Sequence, residues 1–349
     1  MNKQKLGLAN VVSISVGLVV ATSCLVSLGE GSGTLGVTFI LAMAIAMLLN
    51  MTTVASLSEL NALMPNTTGG LAQYTLAALG PLPTLVSMVG GYIICNTMSC
   101  GVEASIFSFS LADIIGGNVP SIVYTFIMTV IILLANLRGV DMFAKIQDVV
   151  AFPLVGSLVV MGFIGMVGAG MGARVEQPFV LEADFKGIAS MTAVAFWLFI
   201  GAEYAIPISK EVKNAKRNVP LGMMIGLFLI FIMQSVMVFG FHNYVEWGKL
   251  ADSAAPHLLY GYAILGKFGK VWMMLVGALA VISTQNSTVN SLAVICQGMA
   301  KMNMLPKIFA KTNKYKVPWF GQVFVSTAIF LFAYVSNNSA LSLIHISEP

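Results

Sequence analysis

Between Thr192 and Pro220 the sequence reads TAVAFWLFIGAEYAIPISKEVKNAKRNVP, an apolar run that carries one carboxylate, Glu203. A charge deep in hydrocarbon costs about 2.5–3.5 kcal/mol on insertion scales, so such a group lines a cavity or pathway or bonds a neighbouring helix. Gly201 precedes it and Pro207 follows, and both weaken the helical hydrogen-bond ladder. A broken helix beside an acid is the pattern of a transporter binding site, with a structural acid as the plainer alternative. Three further apolar runs carry polar groups at their centres. Val20-Ala21-Thr22-Ser23-Cys24 is small and polar where Leu and Ile are expected. Asn96 and Glu103 share a second run, and Ser283-Thr284-Gln285-Asn286-Ser287-Thr288 interrupts a third. Those hydroxyls can form a cation or pocket site, or bond carbonyls one turn back in their own helix.

These groups need positioning by helices in a bilayer. Hydrophobic residues make up 58% of the 349 positions and charged residues 9%, with a mean hydropathy of +0.89. Several separate apolar runs of about 20 residues each match a bilayer crossing. The chain is therefore an all-α polytopic membrane protein. Its net charge of +4 does not point to nucleic acid, because the basic residues fall in short loops between spans. The N-terminal MNKQKLGLAN leads into a span with no small-residue cleavage site. Cys24, Cys95, Cys100 and Cys296 all lie in apolar runs and read as small core residues, with no disulfide or metal spacing. No metal or other cofactor is expected.

Nine spans are expected. The first covers roughly residues 8–28 and is closed by Gly29-Glu30-Gly31-Ser32-Gly33; the second runs from Gly36 to about Leu63. A turn and short interfacial helix follow, and spans 3 to 5 lie at about 83–115, 120–137 and 149–170. Gly162, Gly165, Gly168 and Gly172 allow close helix packing. Residues 171–186 form an extracellular loop, the opening stretch is span 6, and span 7 covers about 221–241. A longer loop places His242 and His257 in solvent, before spans 8 (about 271–299) and 9 (about 319–335). With the N-terminus cytoplasmic, inner segments hold 13 of the 18 Lys and Arg residues and outer segments 5, as the positive-inside rule requires. The last ten residues, ALSLIHISEP, resemble translated adapter sequence and are set aside as a non-native tail, 340–349.

The stretch Phe199-Ile200-Gly201-Ala202-Glu203, followed by Glu211-Val212-Lys213-Asn214-Ala215-Lys216-Arg217-Asn218-Val219-Pro220, resembles span 6 of the amino acid–polyamine–organocation (APC) permeases. A second match is Pro65-Asn66-Thr67-Thr68-Gly69-Gly70 with Tyr74 and Leu79-Gly80-Pro81. A third runs from Gly298-Met299-Ala300-Lys301 through Met304-Leu305-Pro306-Lys307 to Pro318. The resemblance implies the LeuT-type inverted-repeat helical bundle, two five-helix repeats with discontinuous spans 1 and 6. Residues 1–170 are then the first repeat and residues 187–339 a partial second one, lacking its fifth helix. A chain without that gate helix is expected to insert in a membrane but not to accumulate substrate.

Site residues follow from the resemblance. The breaks at Ala21, Thr22 and Ser23 and at Ile200, Gly201 and Glu203 would hold a substrate's charged ends through free N–H groups and unwound carbonyls. Trp197 matches an aromatic that closes over substrate in some relatives, or is an ordinary core or lipid-facing Trp. Asn96 falls where relatives place a pocket residue, or bonds another helix. Glu203 is the expected proton-coupling group, with Glu103 and the hydroxyls of Ser283, Thr284 and Ser287, near where sodium-coupled relatives place theirs, as alternatives. The family's span 1 break reads Gly-Ser-Gly; Ala21-Thr22-Ser23 stands in here. Some proton-coupled relatives carry a lysine in span 5, where this chain reads Ala151-Phe152-Pro153-Leu154. The implied function is a secondary transporter of amino acids or related amines in the cytoplasmic membrane, driven by a proton or by sodium, working by alternating access. An exchanger and a non-transporting amino acid sensor are the alternatives. An enzyme is disfavoured, since no span contains His and the in-span carboxylates are scattered, so no catalytic residue is assigned.

Overall fold

The computed structural model describes residues 6–64, 68–115, 119–179 and 185–347. The motif residues Pro65, Asn66 and Thr67, part of the 171–186 loop and the final two residues lie outside them. Among the described residues, seven stretches are long and apolar enough to cross a membrane: Thr22–Leu63, Pro81–Phe109, Val140–Val167, Phe185–Ala205, Ala215–Tyr244, Pro256–Lys301 and Trp319–Asn337. Two apolar helices are shorter, α1 (Leu8–Val19) and α7 (Ser121–Asn136).

Several of these stretches are composite. The first joins α2 (Thr22–Leu35) to α3 (Phe39–Leu63) through a bend at Gly36, whose φ of +55° with ψ of −137° suits only glycine. After α4 (Leu71–Leu79), α5 (Pro81–Leu85) passes through a π-helical segment, Val86–Ile94, into α6 (Cys95–Ile115). Then come α8 (Val140–Val167), α9 (Phe185–Trp197), α10 (Ala215–Tyr244), the short α11 (Trp247–Ala251), α12 (Pro256–Lys301) and α13 (Trp319–Ser347). Residues 340–347, set aside above, continue α13.

Other expectations change. The glycines from Gly29 to Gly33 do not close the first span, because α2 continues through them. They serve packing: a Cβ on Gly29 would lie 2.3 Å from Pro256, and one on Gly33 would lie 2.5 Å from Ala251. That contact brings α11 and the start of α12 down onto α2. His242 and His257 are both buried, His242 because α10 extends past the end read from hydropathy and His257 because residues 256–264 fold onto the bundle as a helical stretch of their own. At Leu265 and Gly266 the chain leaves helical geometry and turns back, so that a Cβ on Gly261 would lie 2.5 Å from Gly269 O, and the range of α12 holds two helices joined by that turn.

The close packing read from span 5 holds at Gly162 and Gly165. A Cβ on Gly162 would lie 2.9 Å from the Met237 backbone nitrogen, and one on Gly165 would lie 2.7 Å from the Gly240 Cα. Small residues let α8 and α10 touch backbone to backbone. The hydroxyl of Tyr260 from α12 enters the same seam and donates to Met161 O at 2.8 Å. Gly168 instead caps α8 in the left-handed region.

A polar strut crosses the bundle nearby. Asn136 Nδ2 donates to Asn286 Oδ1 at 2.8 Å, Asn286 Nδ2 to Gln147 Oε1 at 2.9 Å, and Gln147 Nε2 to Ser283 Oγ at 2.6 Å. It links α7, α12 and α8, and Gln147 also reaches Ser13 O of α1 at 3.4 Å.

Gly165→Val therefore inserts bulk where Tyr260 and Gly240 already touch, and a loss of about 1–3 kcal/mol is expected. Gly156, on the same helix, has open space at its Cβ, so Gly156→Val leaves stability nearly unchanged. Thermal unfolding of the two variants in detergent checks this, and equal losses would mean the α8–α10 seam is not close-packed.

Candidate functional site

The site forms where helices stop inside the apolar bundle. α1 ends at Val19 and α2 begins at Thr22, leaving Val20 and Ala21 non-helical. α9 ends at Trp197, and the chain continues through tight turns and a short 3-10 segment, Ala202–Ala205. Such ends free backbone groups that water cannot reach, so each needs a partner. Gln234 Nε2 from α10 donates to Leu198 O at 3.3 Å, and Asn50 Nδ2 from α3 reaches Phe196 O at 3.5 Å. Gly201, at φ +124°, sits against the end of α1: a Cβ there would lie 2.8 Å from Leu18 Cδ2.

A small cavity of about 40 Å³ lies between these ends. Its walls include Ala21, Asn96, Glu103, Trp197, Ile200 and Thr284. Glu103 is fully buried; Ser23 Oγ donates to its Oε1 at 2.5 Å, while its Oε2 has no partner. The carboxylate also faces the backbone N–H groups of Thr22 and Ser23, at the N-terminus of α2. That helix end favours a negative charge. The Trp197 indole donates to Ser23 Oγ at 3.4 Å, so acid, hydroxyl and aromatic form one connected group.

The remaining candidates are placed differently. Glu203 does not line the cavity; its Oε2 accepts from its neighbour Gly201 N at 3.0 Å. Asn96 lines it, but its Nδ2 is engaged by Tyr92 O of the π-helical segment at 2.9 Å. Ser283 is committed to Gln147, whereas the buried hydroxyls of Thr284 and Ser287 have no partner. Thr22 turns away into a second, smaller cavity.

Three further residues contribute that hydropathy does not single out. Gln147 lies just before the apolar run expected as span 5, and adjacent Gln147 and Asp148 ahead of Val149 and Val150 are its visible signal. Cys100 was read as core and lines the cavity. Tyr204 is fully buried with an unpartnered hydroxyl, its ring 5.9 Å from that of Tyr92, and its carbonyl accepts from Ser291 Oγ at 3.2 Å.

Toward the C-terminal end of α12 opens a chamber of about 480 Å³, bordered by Lys210, Glu211, Asn290, Gln297, Lys301 and Lys316. Lys210 and Lys301 both donate to Thr68 Oγ1, at 2.9 and 3.3 Å. Leu6 pairs with the adjoining loop, its N–H donating to Glu211 O and its carbonyl accepting from Lys213 N, both at 2.8 Å.

Known proteins resemble this chain in fold and in sequence. The fold matches that of a Na+-coupled sialic acid symporter in a substrate-bound, outward-open state, with a TM-score of 0.64 at 10% identity, over 96% of this chain and 74% of that one. An L-methionine/branched-chain amino acid exporter of Escherichia coli (strain K12) is 26% identical over 170 residues, 48% of this chain and 39% of the relative. An arginine/ornithine antiporter of Latilactobacillus sakei is 25% identical over 228 residues, 62% and 47% of the two chains. The putrescine transporter PotE of Escherichia coli (strain K12) is 26% identical over 262 residues, 72% and 57%. The chain thus spans between 39% and 57% of the length of these relatives. The amino acid permease family matches residues 10–347, nearly the whole sequence, and the chain belongs to that family.

Proposed function

We propose that this chain carries the substrate site of a secondary transporter for amino acids or related amines, working by alternating access in the cell membrane with its N-terminus cytoplasmic. The observation that carries the reading is the cavity at the ends of α1, α2 and α9, where free helix-end groups meet a buried carboxylate and an aromatic. On this reading α1 with α2, and α9 with the turns after it, are the discontinuous spans 1 and 6 of an inverted-repeat bundle. Nine spans then result, with residues 1–170 and 187–339 as the two repeats and 171–186 as the outer loop.

The cavity is far below the roughly 300–1,000 Å³ of a ligand pocket, so a substrate enters only as the walls part. The larger chamber gives the route from the cytoplasmic side. Three lysines against one glutamate make that chamber electropositive, which draws anionic groups and opposes bare dications. A substrate carrying a carboxylate fits this better than a diamine, so amino acids are the favoured class. The L-methionine/branched-chain exporter among the relatives agrees with that choice. Exchange is the second reading, favoured by the likeness to an arginine/ornithine antiporter.

For coupling, Glu103 lines the cavity and keeps one oxygen unpartnered, while Glu203 is turned onto its own backbone. Glu103 is therefore the favoured proton carrier.

A thermal-shift screen of the reconstituted protein across amino acids and polyamines tests the substrate class. Ligand at 100 times its Kd adds about 2.7 kcal/mol of apparent stability. Amino acids are expected to give that shift, and Ala21→Leu, whose backbone is ordinary, is expected to remove it while melting unliganded like the parent. A screen in which only polyamines shift melting would overturn the class.

The coupling assignment separates two variants. Glu103→Gln is expected to flatten the pH dependence of uptake, and Glu203→Gln to leave it in place. The reverse pattern in proteoliposomes would return the role to Glu203. Strict dependence on sodium would move it to Thr284 and Ser287.

A further inference from the structure

A second cavity, of about 30 Å³, lies on the opposite side of the α2 N-terminus from the site. Thr22 borders it from α2, Ile106 and Phe107 from α6, His257 and Gly277 from α12, and Ala254 from the loop after α11. Two polar side chains there are buried without partners: Thr22, 6% exposed, through Oγ1, and His257, 5% exposed, through Nδ1. Leaving such atoms unsatisfied costs about 1–3 kcal/mol each. The space exceeds the roughly 10–15 Å³ that one water needs, and two polar groups can hold it.

The position of this cavity gives it a use. Glu103 and Ile106 are one turn apart on α6, so they lie on the same face of that helix, one walling each cavity. Thr22 and Ser23 stand between them, and Ser23 already bonds Glu103. Glu103 Oε2 is the third unpartnered atom of the row. At the other end Ala254 is exposed, so the cavity adjoins the loop surface. Among the described residues no ionisable group other than His257 borders the cavity. Glu103 lies one turn before Ile106, and Asp252 lies in the loop two residues before Ala254.

We propose that this cavity is a hydrated proton port, with His257 as the entry group that exchanges protons between the loop side and Glu103. The imidazole takes a proton at one ring nitrogen and releases one from the other to the cavity water. The water passes a proton through the Thr22 hydroxyl to Glu103 Oε2, neutralising the carboxylate; water and hydroxyl each gain and lose one proton, and the imidazole, left as its other tautomer, resets by a ring flip before the next passage. The proposal deepens the assignment of Glu103 above, and on the proposed orientation the port faces outward.

Infrared difference spectroscopy on proteoliposomes tests it without any substrate. The Glu103 carboxyl band, assigned by its loss in Glu103→Gln, is followed after a pH jump in the outer medium. Two variants probe the port. His257→Phe removes the relay. Gly277→Ala fills the space, and its methyl would meet His257 Nε2 at an ordinary 3.7 Å, so folding is preserved. Both are expected to slow the response by about tenfold or more. Wild-type rates in both variants, or no Glu103 band that follows outer pH, would overturn the port. Because the readout needs no amine, the port can stand if the substrate assignment fails, and can fail while that assignment stands.

Discussion

The approach of Gly201 to the end of α1 is the contact on which the site depends. At φ +124° the residue turns the chain out of α9, and the missing Cβ leaves room for Leu18 and Val19. Neither requirement tolerates another side chain. Held there, Trp197 and Ile200 face Ala21 and Glu103 across a few ångströms of space. The cost of ending helices in an apolar interior is met locally, by Gln234 and Asn50 from neighbouring helices. Glycine sets the geometry, and two amide side chains make it affordable.

Helix α12 divides its polar residues between two tasks. Ser283 and Asn286, three apart and so on one face, are locked to Gln147 of α8, and Asn286 also to Asn136 of α7. Thr284 and Thr288, four apart on another face, border the cavity. A satisfied network holds helices in one arrangement. An unpartnered hydroxyl keeps bonding capacity for something that comes and goes. The same stretch that reads as one polar interruption in sequence is a strut on one side and an open wall on the other.

That division shows what the sequence could and could not convey. Helical class, the positions of the apolar stretches and the family were legible, because hydropathy and the Gly-Ala-Glu and Pro-terminated motifs are local signals. The membership of Ala21, Asn96, Glu103, Trp197, Ile200 and Thr284 in one cavity wall was anticipated only as a set of candidates. Which carboxylate enters the cavity was not legible, since Glu103 and Glu203 each stand as a lone acid in an apolar run and differ in what their side chains meet. The two histidines were misplaced for a related reason. Hydropathy windows end a helix at its first polar residues, yet α10 runs on through His242, and the residues before the turn at Leu265 and Gly266 form a further helix that buries His257 against Gly277.

The site cavity and the lysine-lined chamber are unequal, and the inequality has a structural cause. Around the 40 Å³ cavity the walls are the ends of α1, α2 and α9 together with short side chains from within α6 and α12, such as Asn96, Glu103, Thr284 and Thr288, so it widens chiefly by a shift of those helices. Around the 480 Å³ chamber several walls are lysine side chains on long flexible stems, two of them sharing the single hydroxyl of Thr68. Like charges on one acceptor repel, and the arrangement gains when another acceptor arrives. Tyr204 lies in the chain between Ile200, which borders the cavity, and Pro207, which borders the chamber, with its hydroxyl unpartnered and its carbonyl tied to Ser291 of α12. The turns after α9 thus run from one space to the other while bonded to α12, and a shift of α12 relative to those turns must strain that bond.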